Sequence, residues 1–358
     1  MKTTRSVAGA AAFSLLLAAS ALAAPKHSAS KSANAASKPL TEAQRIKEAG
    51  YTGWRKKWAN INQIGHRNLC SGLDFYSLQR QIAMGKQVAQ QVEQSSRMIQ
   101  DPVVVNYINK VGQNLVRNSD AQVPFTFHVI DSNVVNAFSL PGGFVFVNSG
   151  LILRASDEAE LAGVMGHEIA HVNACHGAKK ETQAELAQIA MIPLSIMLPY
   201  GWAGYGIYEG VNSAVPLALL KFSRTDEAQA DFLGLEYMYK AGYDPNAFIA
   251  FFEKIEAAER RQPGTISPIF ETHPPTPQRM LWIQHEIATI LPPRREYLVD
   301  TSEFEQVKKR LEADVRGMQI QRSKNAPTLE NKTGKKNPKD NPPVLKRRNP
   351  SGSGSGPQ

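Results

Sequence analysis

The chain has 358 residues, 42% of them hydrophobic and 20% charged, which is enough apolar material for a substantial core in one large domain or two modest ones. The net charge of +9 sits at the ends: residues 1 to 40 hold five Lys or Arg and no acid, and residues 324 to 358 hold eight against two. The 28 basic and 30 acidic residues between leave the body close to neutral, which excludes a nucleic-acid-binding core, and two cysteines are too few for a disulfide scaffold or a cysteine-based zinc site.

In chain order, Met1-Lys2-Thr3-Thr4-Arg5 leads into an apolar run from Val7 to Leu22 that closes on the small-x-small sequence Ala21-Leu22-Ala23. Residues 1–23 therefore read as a signal peptide cut after Ala23, giving an exported, periplasmic or extracellular protein. The run is shorter than the roughly 20 residues a spanning helix needs. Residues 24–40, rich in Ala, Ser and Lys, read as a disordered linker, with structure expected from Thr41. Helical spacing of apolar residues predicts helices over Leu73 to Ser96 and Val103 to Val116, the second started by Asp101-Pro102. Phe125 to Ile130 and Phe144 to Val147 are β-branched and aromatic and predict strands, joined by a loop containing Leu140-Pro141-Gly142-Gly143.

A helix is predicted from Asp157 to Lys180, capped by Ser156, and another from Thr225 to Ala241, ended by Gly242 and Pro245. Between them, Leu186 to Tyr200 is almost wholly apolar but carries Pro193 and Pro199, and with the glycines to Gly210 it reads as a broken hairpin or flap over a site. No strand precedes those glycines, so no dinucleotide-binding fingerprint is present. Helices follow over Pro245 to Arg260, Gln278 to Ile290 and Ser302 to Gln321, so that residues 41–323 form one mainly helical α+β domain with a small sheet. Residues 324–358 form a basic, disordered tail suited to peripheral contact with anionic envelope surfaces. Cys70 and Cys175 are expected to be separate buried thiols, with pairing open to them in an oxidising compartment.

The chemistry concentrates in His167-Glu168-Ile169-Ala170-His171. Four-residue spacing puts both imidazoles on one helical face, from which two nitrogens reach a single zinc at about 2.0–2.1 Å. Glu168 is offset by about one-quarter of a turn, so its carboxylate is placed to act as a base on water rather than as a ligand. A third ligand is needed, and Glu227-Ala228-Gln229-Ala230-Asp231 supplies two carboxylates on one face: Glu227 for the metal and Asp231 to accept from a ligand imidazole. His273 lies in a Pro-rich loop with Arg279, where the two could stabilise an oxyanion or His273 could occupy the open metal position. His176 reads as a helix-end residue favoured by the dipole.

These residues resemble the zinc metallopeptidase family of CAAX prenyl proteases, HtpX and BepA. His167-Glu168-x-x-His171 and Ser223-Arg224-x-x-Glu227-x-x-Ala230-Asp231 carry the resemblance, which extends to Asn136-Ala137-Phe138-Ser139-Leu140-Pro141-Gly142-Gly143 and Thr272-His273-Pro274-Pro275-Thr276-Pro277-x-Arg279. It implies a zincin-like, gluzincin fold, one zinc per chain on His167, His171 and Glu227, Asp231 behind them, and hydrolysis of peptide bonds inside polypeptide substrates. It also makes the strand at Gly143, Phe144, Val145 and Phe146 an edge strand that pairs with substrate backbone. The expected function is that of an envelope zinc endopeptidase acting on misfolded or unassembled proteins. The alternative is an envelope holdase or assembly factor that does not depend on its metal site.

Overall fold

In a computed structural model the described residues are 40–70, 76–185, 222–261 and 272–325. Residues 1–39, which hold the expected signal peptide and nearly all of the expected linker, the segment 186–210 and the basic residues beyond 325 lie outside them. The chain divides into two units, Met1–Leu40 and Thr41–Gln358, and the second holds all the helices and strands among the described residues. Its architecture is the mainly helical α+β arrangement expected from the sequence. Among the described residues no helix is long and apolar enough to cross a membrane.

Short helices α1 (Glu42–Glu48) and α2 (Gly53–Trp58) precede α3 (Leu78–Ser95) and α4 (Pro102–Arg117). Asp101 caps α4 by accepting from the Val103 amide, and Pro102 occupies the first helical turn, where its missing N–H costs nothing. The helix buries Val104, Tyr107, Ile108, Val111 and Leu115, a stripe at helical spacing.

Three strands form the sheet: β1 (Thr126–Ile130), β2 (Ala137–Leu140) and β3 (Phe144–Asn148), in the order β1-β3-β2. β3 runs parallel to β1, with Thr126 opposite Phe144, and antiparallel to β2, with Leu140 opposite Phe144 and Ala137 opposite Val147. Two expectations change here. The loop expected between two strands contains a third, β2, which leaves only Pro141 to Gly143 as the turn. The strand holding Phe144, Val145 and Phe146 is the central one, so both its edges are already paired and it cannot take a substrate backbone; Gly143 lies in the turn before it. Its nearly continuous burial follows from that central place. Gly142 and Gly143 have φ of 82° and 96°, and a Cβ on Gly142 would stand 2.4 Å from Ile82 Cα, so the turn demands glycine twice over.

α5 (Ser149–Arg154) leads to α6 (Glu158–Asn173), which carries the two-histidine motif and is buried along its whole length. Asp157, one residue later than expected, is its cap, accepting from the Glu160 amide. The buried Glu158 carboxylate accepts from the hydroxyls of Tyr107 and Tyr243 at 2.6 and 2.7 Å, which anchors the start of the helix. The helix stops at Asn173 rather than running to Lys180. Cys175 takes a left-handed φ of 56°, and helix resumes over residues 176–185. Cys175 is joined to Cys70 in a disulfide with the Cα atoms 5.2 Å apart, so the expectation of separate thiols is corrected. The pairing spans 105 residues of sequence, a long-range proximity that composition does not reveal.

Next come α7 (Arg224–Ala241), α8 (Asn246–Arg261), α9 (Pro277–Thr289) and α10 (Ser302–Asn325). Ser223 and Asp226 close α7 with a reciprocal capping box, and Gly242 ends it at φ 99°. Arg67 is buried between Asp120 at 2.6 Å and Glu236 of α7 at 2.5 Å, so the N-terminal segment grips the helix that bears the acidic pair.

Candidate metal centre

Helix α6 crosses α7 at two glycines. A Cβ on Gly234 would lie 2.9 Å from the His167 amide nitrogen, and one on Gly166 would lie 3.2 Å from the Gly234 carbonyl oxygen. Backbone against backbone at Gly166 and Gly234 sets this close approach. Gly234→Ala is therefore expected to force the helices apart, lowering stability by about 1–3 kcal/mol as overpacking does, and to weaken metal binding at the same time. Denaturant midpoints and zinc titrations of the variant check this. Unchanged values in both would mean that the crossing tolerates a methyl group.

Across that contact, His167, Glu168 and His171 of α6 meet Glu227 and Asp231 of α7, and His273 with Arg279 close the far side. All seven are buried, at 1% to 6% exposure. Ligand atoms of His167, His171, Glu227 and His273 all fall within 4.8 Å of one another. His171 Nε2 is 3.0 Å from His167 Nε2, and His273 Nδ1 is 3.3 Å from His167 Nε2 and 2.9 Å from Glu227 Oε1. Glu227 reaches His167 Nε2 at 3.4 Å and His171 Nε2 at 3.5 Å. Ligands held about 2.0–2.1 Å from a tetrahedral zinc stand about 3.3 Å apart, which is the spacing found here.

The electrostatics suit a cation. Burial lowers the His167 pKa, but the carboxylates of Asp231 and Glu227 outweigh it and lift it to about 9. Burial raises the Glu227 carboxyl, yet His273 and His167 hold it well below the usual range. His171, desolvated and flanked by other imidazoles, falls well below the ordinary histidine value. A buried, ionised glutamate that, with Asp231, holds a proton on the neighbouring His167 imidazole marks a site that favours positive charge at its centre.

Around these groups the supports are specific. Asp231 Oδ1 stands 3.2 Å from His167 Nδ1. Arg279 donates from Nε and Nη2 to both Asp231 oxygens at 2.7 and 2.6 Å, and from Nη1 to the Pro274 carbonyl at 2.9 Å, so it ties the loop of His273 to α7. Its Nη1 is also 3.0 Å from Glu227 Oε2. Glu168 accepts at Oε2 from the Ser139 hydroxyl of β2 at 2.9 Å, while its Oε1 accepts no hydrogen bond and lies 3.4 Å from His273 Nε2. Burial raises the Glu168 pKa against the opposing pull of His273 and His167.

Every expected site residue outside the strand is thus assembled in one place, whereas Gly143, Phe144, Val145 and Phe146 belong to the turn and the central strand. Three contributors are not legible in the sequence: Ser139, Gln229 and His176. His176 stands at the start of a resumed helix, not at the C-terminal end of the motif helix. Its Nδ1 is 3.0 Å from His171 Nδ1 and its Nε2 is 2.9 Å from Gln229 Oε1. Burial lowers its pKa to about 4.

Known proteins resemble the chain across this region. The model of peptidase family M48 matches residues 102–287. A Vibrio cholerae relative of the beta-barrel assembly-enhancing protease type is 34% identical over 224 residues, covering 61% of this chain and 46% of its own. The beta-barrel assembly-enhancing protease of Escherichia coli strain K12 is 31% identical over 204 residues, 55% of this chain and 42% of that protein. The mitochondrial metalloendopeptidase OMA1 of Schizosaccharomyces pombe is 34% identical over 181 residues, 50% of this chain and 51% of its own. The chain spans less than half the length of these bacterial relatives.

Proposed function

The chain belongs to the metallopeptidase family M48, and on that premise we propose that it is an exported zinc endopeptidase of the bacterial cell envelope that cleaves misfolded or unassembled polypeptides. The observation that carries this reading is the convergence of two Nε2 atoms and the Glu227 carboxylate at zinc spacing beside a buried glutamate with one free oxygen. His167, His171 and Glu227 would hold the ion. When bound, zinc supplies a Lewis acid for the scissile carbonyl and lowers the pKa of a water toward about 7.

Glu168 takes the proton of the attacking water at its free Oε1 and passes it to the leaving amine. Ser139 orients the same carboxylate through Oε2. Asp231 steadies the His167 ring, and Arg279 steadies Asp231. Substrate backbone adds to β2, the strand that pairs on one side only among the described residues and that carries Ser139 next to the base. The relatives' names, together with the signal peptide read at residues 1–23, support the envelope assignment.

His273 fills the fourth corner in this arrangement, and a catalytic zinc needs that corner for water. It must therefore withdraw before turnover, which favours the gating role over the oxyanion role. His273→Ala is expected to retain zinc and to cleave a short peptide faster than the unaltered protein. A fall in kcat at unchanged zinc would place His273 at the oxyanion instead, and loss of zinc would make it a structural ligand.

The function itself is tested by incubating the protein with an unfolded polypeptide, with and without a chelator. Internal cleavage that stops on chelation and returns with zinc is the expected result; chelator-insensitive cleavage would contradict it.

A further inference from the structure

His176 is not one of the proposed ligands, yet it is buried to 2% exposure directly behind one of them. Its ring stands edge-on to that of His171, with centroids 5.0 Å apart. The hydrogen bonds fix the protons. The side-chain oxygen of Gln229 can only accept, so His176 donates from Nε2 at 2.9 Å, with Asp226 Oδ1 at 3.7 Å on the same side. With Nε2 engaged as donor to Gln229, His176 turns Nδ1, its other ring nitrogen, to His171 as the acceptor at 3.0 Å. His171 must donate from its own Nδ1, which leaves its Nε2 bare and turned to the cluster where Glu227 and His167 meet.

Two features hold His176 in that place. Gln229 lies two residues beyond Glu227 on α7, so two hydrogen bonds in series, His171 to His176 and His176 to Gln229, join the rear of the α6 histidine to the helix of the third proposed ligand. On the other side, Cys175 is bonded to Cys70 and takes a left-handed φ of 56°, and the chain turns there so that the next residue meets His171.

We propose that His176 is a positioning residue of the metal centre: held by Gln229 and by the Cys70–Cys175 cross-link, it fixes the tautomer and orientation of His171 and so sets metal affinity. The proposal rests on the reading of His171 as a ligand. It differs from the arrangement at His167, where a carboxylate, Asp231, takes the corresponding place. The contribution of His176 is geometric: its hydrogen bond selects which ring nitrogen of His171 faces the metal.

The test is the zinc dissociation constant, read by chelator competition, for His176→Leu and His176→Asn. Leucine fills the space but accepts nothing; asparagine can place its oxygen near the position of Nδ1. His176→Leu is expected to weaken zinc binding by about 10- to 100-fold, the range found when such supporting partners are lost, and His176→Asn to recover most of that loss. Circular dichroism of the metal-free variants shows whether each is folded. Should His176→Leu not fold, Gln229→Leu removes only the distal hydrogen bond and is expected to weaken zinc binding measurably. Wild-type affinity in a folded His176→Leu or, in its place, Gln229→Leu would overturn the proposal, as would equal losses in the leucine and asparagine variants. A wild-type chain that binds no zinc, like a His171→Ala control that binds it normally, overturns the metal reading itself. Zinc in the wild type with an unaffected His176→Leu overturns this proposal alone.

Discussion

Glu168→Gln is expected to lower peptide cleavage by about 10²–10⁴-fold, the contribution of a general base, while zinc stays bound and the fold is unchanged. Glutamine keeps the shape of the side chain and still offers an oxygen to the Ser139 hydroxyl, so the hydrogen bond to β2 can survive. It cannot take a proton. The glutamate at this position is 1% exposed, its Oε1 accepts no hydrogen bond, and burial raises its pKa. Steady-state cleavage of a peptide together with metal analysis decides the matter. Near-normal turnover in the variant would remove Glu168 from the base role, and loss of zinc alongside activity would show that its carboxylate supports the metal instead.

Glu227→Ala should fail differently. Two imidazoles one turn apart on α6 remain, but the only carboxylate in the ligand cluster is gone, so zinc affinity and activity are expected to fall together. Thermal stability should drop by the amount that metal binding contributes to the folded state. Chelator-treated wild type supplies the comparison: its melting temperature and that of Glu227→Ala should lie close together, and the variant's should not rise when zinc is added at a concentration that saturates the wild type. Asp231→Asn is expected to fall between, at about 10- to 100-fold in metal affinity or activity, because it acts through the His167 ring. Full zinc occupancy in Glu227→Ala would mean that His273 completes the ligand set and that Glu227 serves another purpose.

What is legible in the sequence is local. His167 and His171 are four residues apart on a helix, so their convergence follows from helical pitch alone, and Glu227 with Asp231 repeats the same geometry. Asp101 and Pro102 mark a helix start through their backbone chemistry, and Gly242 marks a helix end. What stays hidden is set by contacts distant in sequence. Four residues, Ala137–Leu140, between an asparagine and Pro-Gly-Gly carry too little pattern to announce a strand, and it is pairing with β3 that makes them one. That strand moves the free edge of the sheet from Phe144 to Ser139.

The end of the motif helix is concealed in the same way. Gly177 is the one helix-weakening residue that stands out between His171 and Lys180, yet the break falls at Cys175, which is bonded to Cys70, 105 residues earlier in the chain. Once the chain turns at Cys175, His176 becomes a partner of His171 instead of a residue one further turn along. Gln229 gives no signal because a glutamine between two acidic positions looks like solvated helix surface; its meaning depends on where α6 ends. Gly166 and Gly234 are equally silent, since a glycine within a helix signals close packing only when its partner is known.

That His167, His171 and Glu227 hold one zinc ion, with Glu168 as the base beside it, is tested most directly by elemental analysis of the purified protein. One zinc per chain is expected in the wild type and in Glu168→Gln, with little or none in Glu227→Ala. A wild-type chain that carries no metal and still cleaves an unfolded polypeptide at full rate would contradict the assignment.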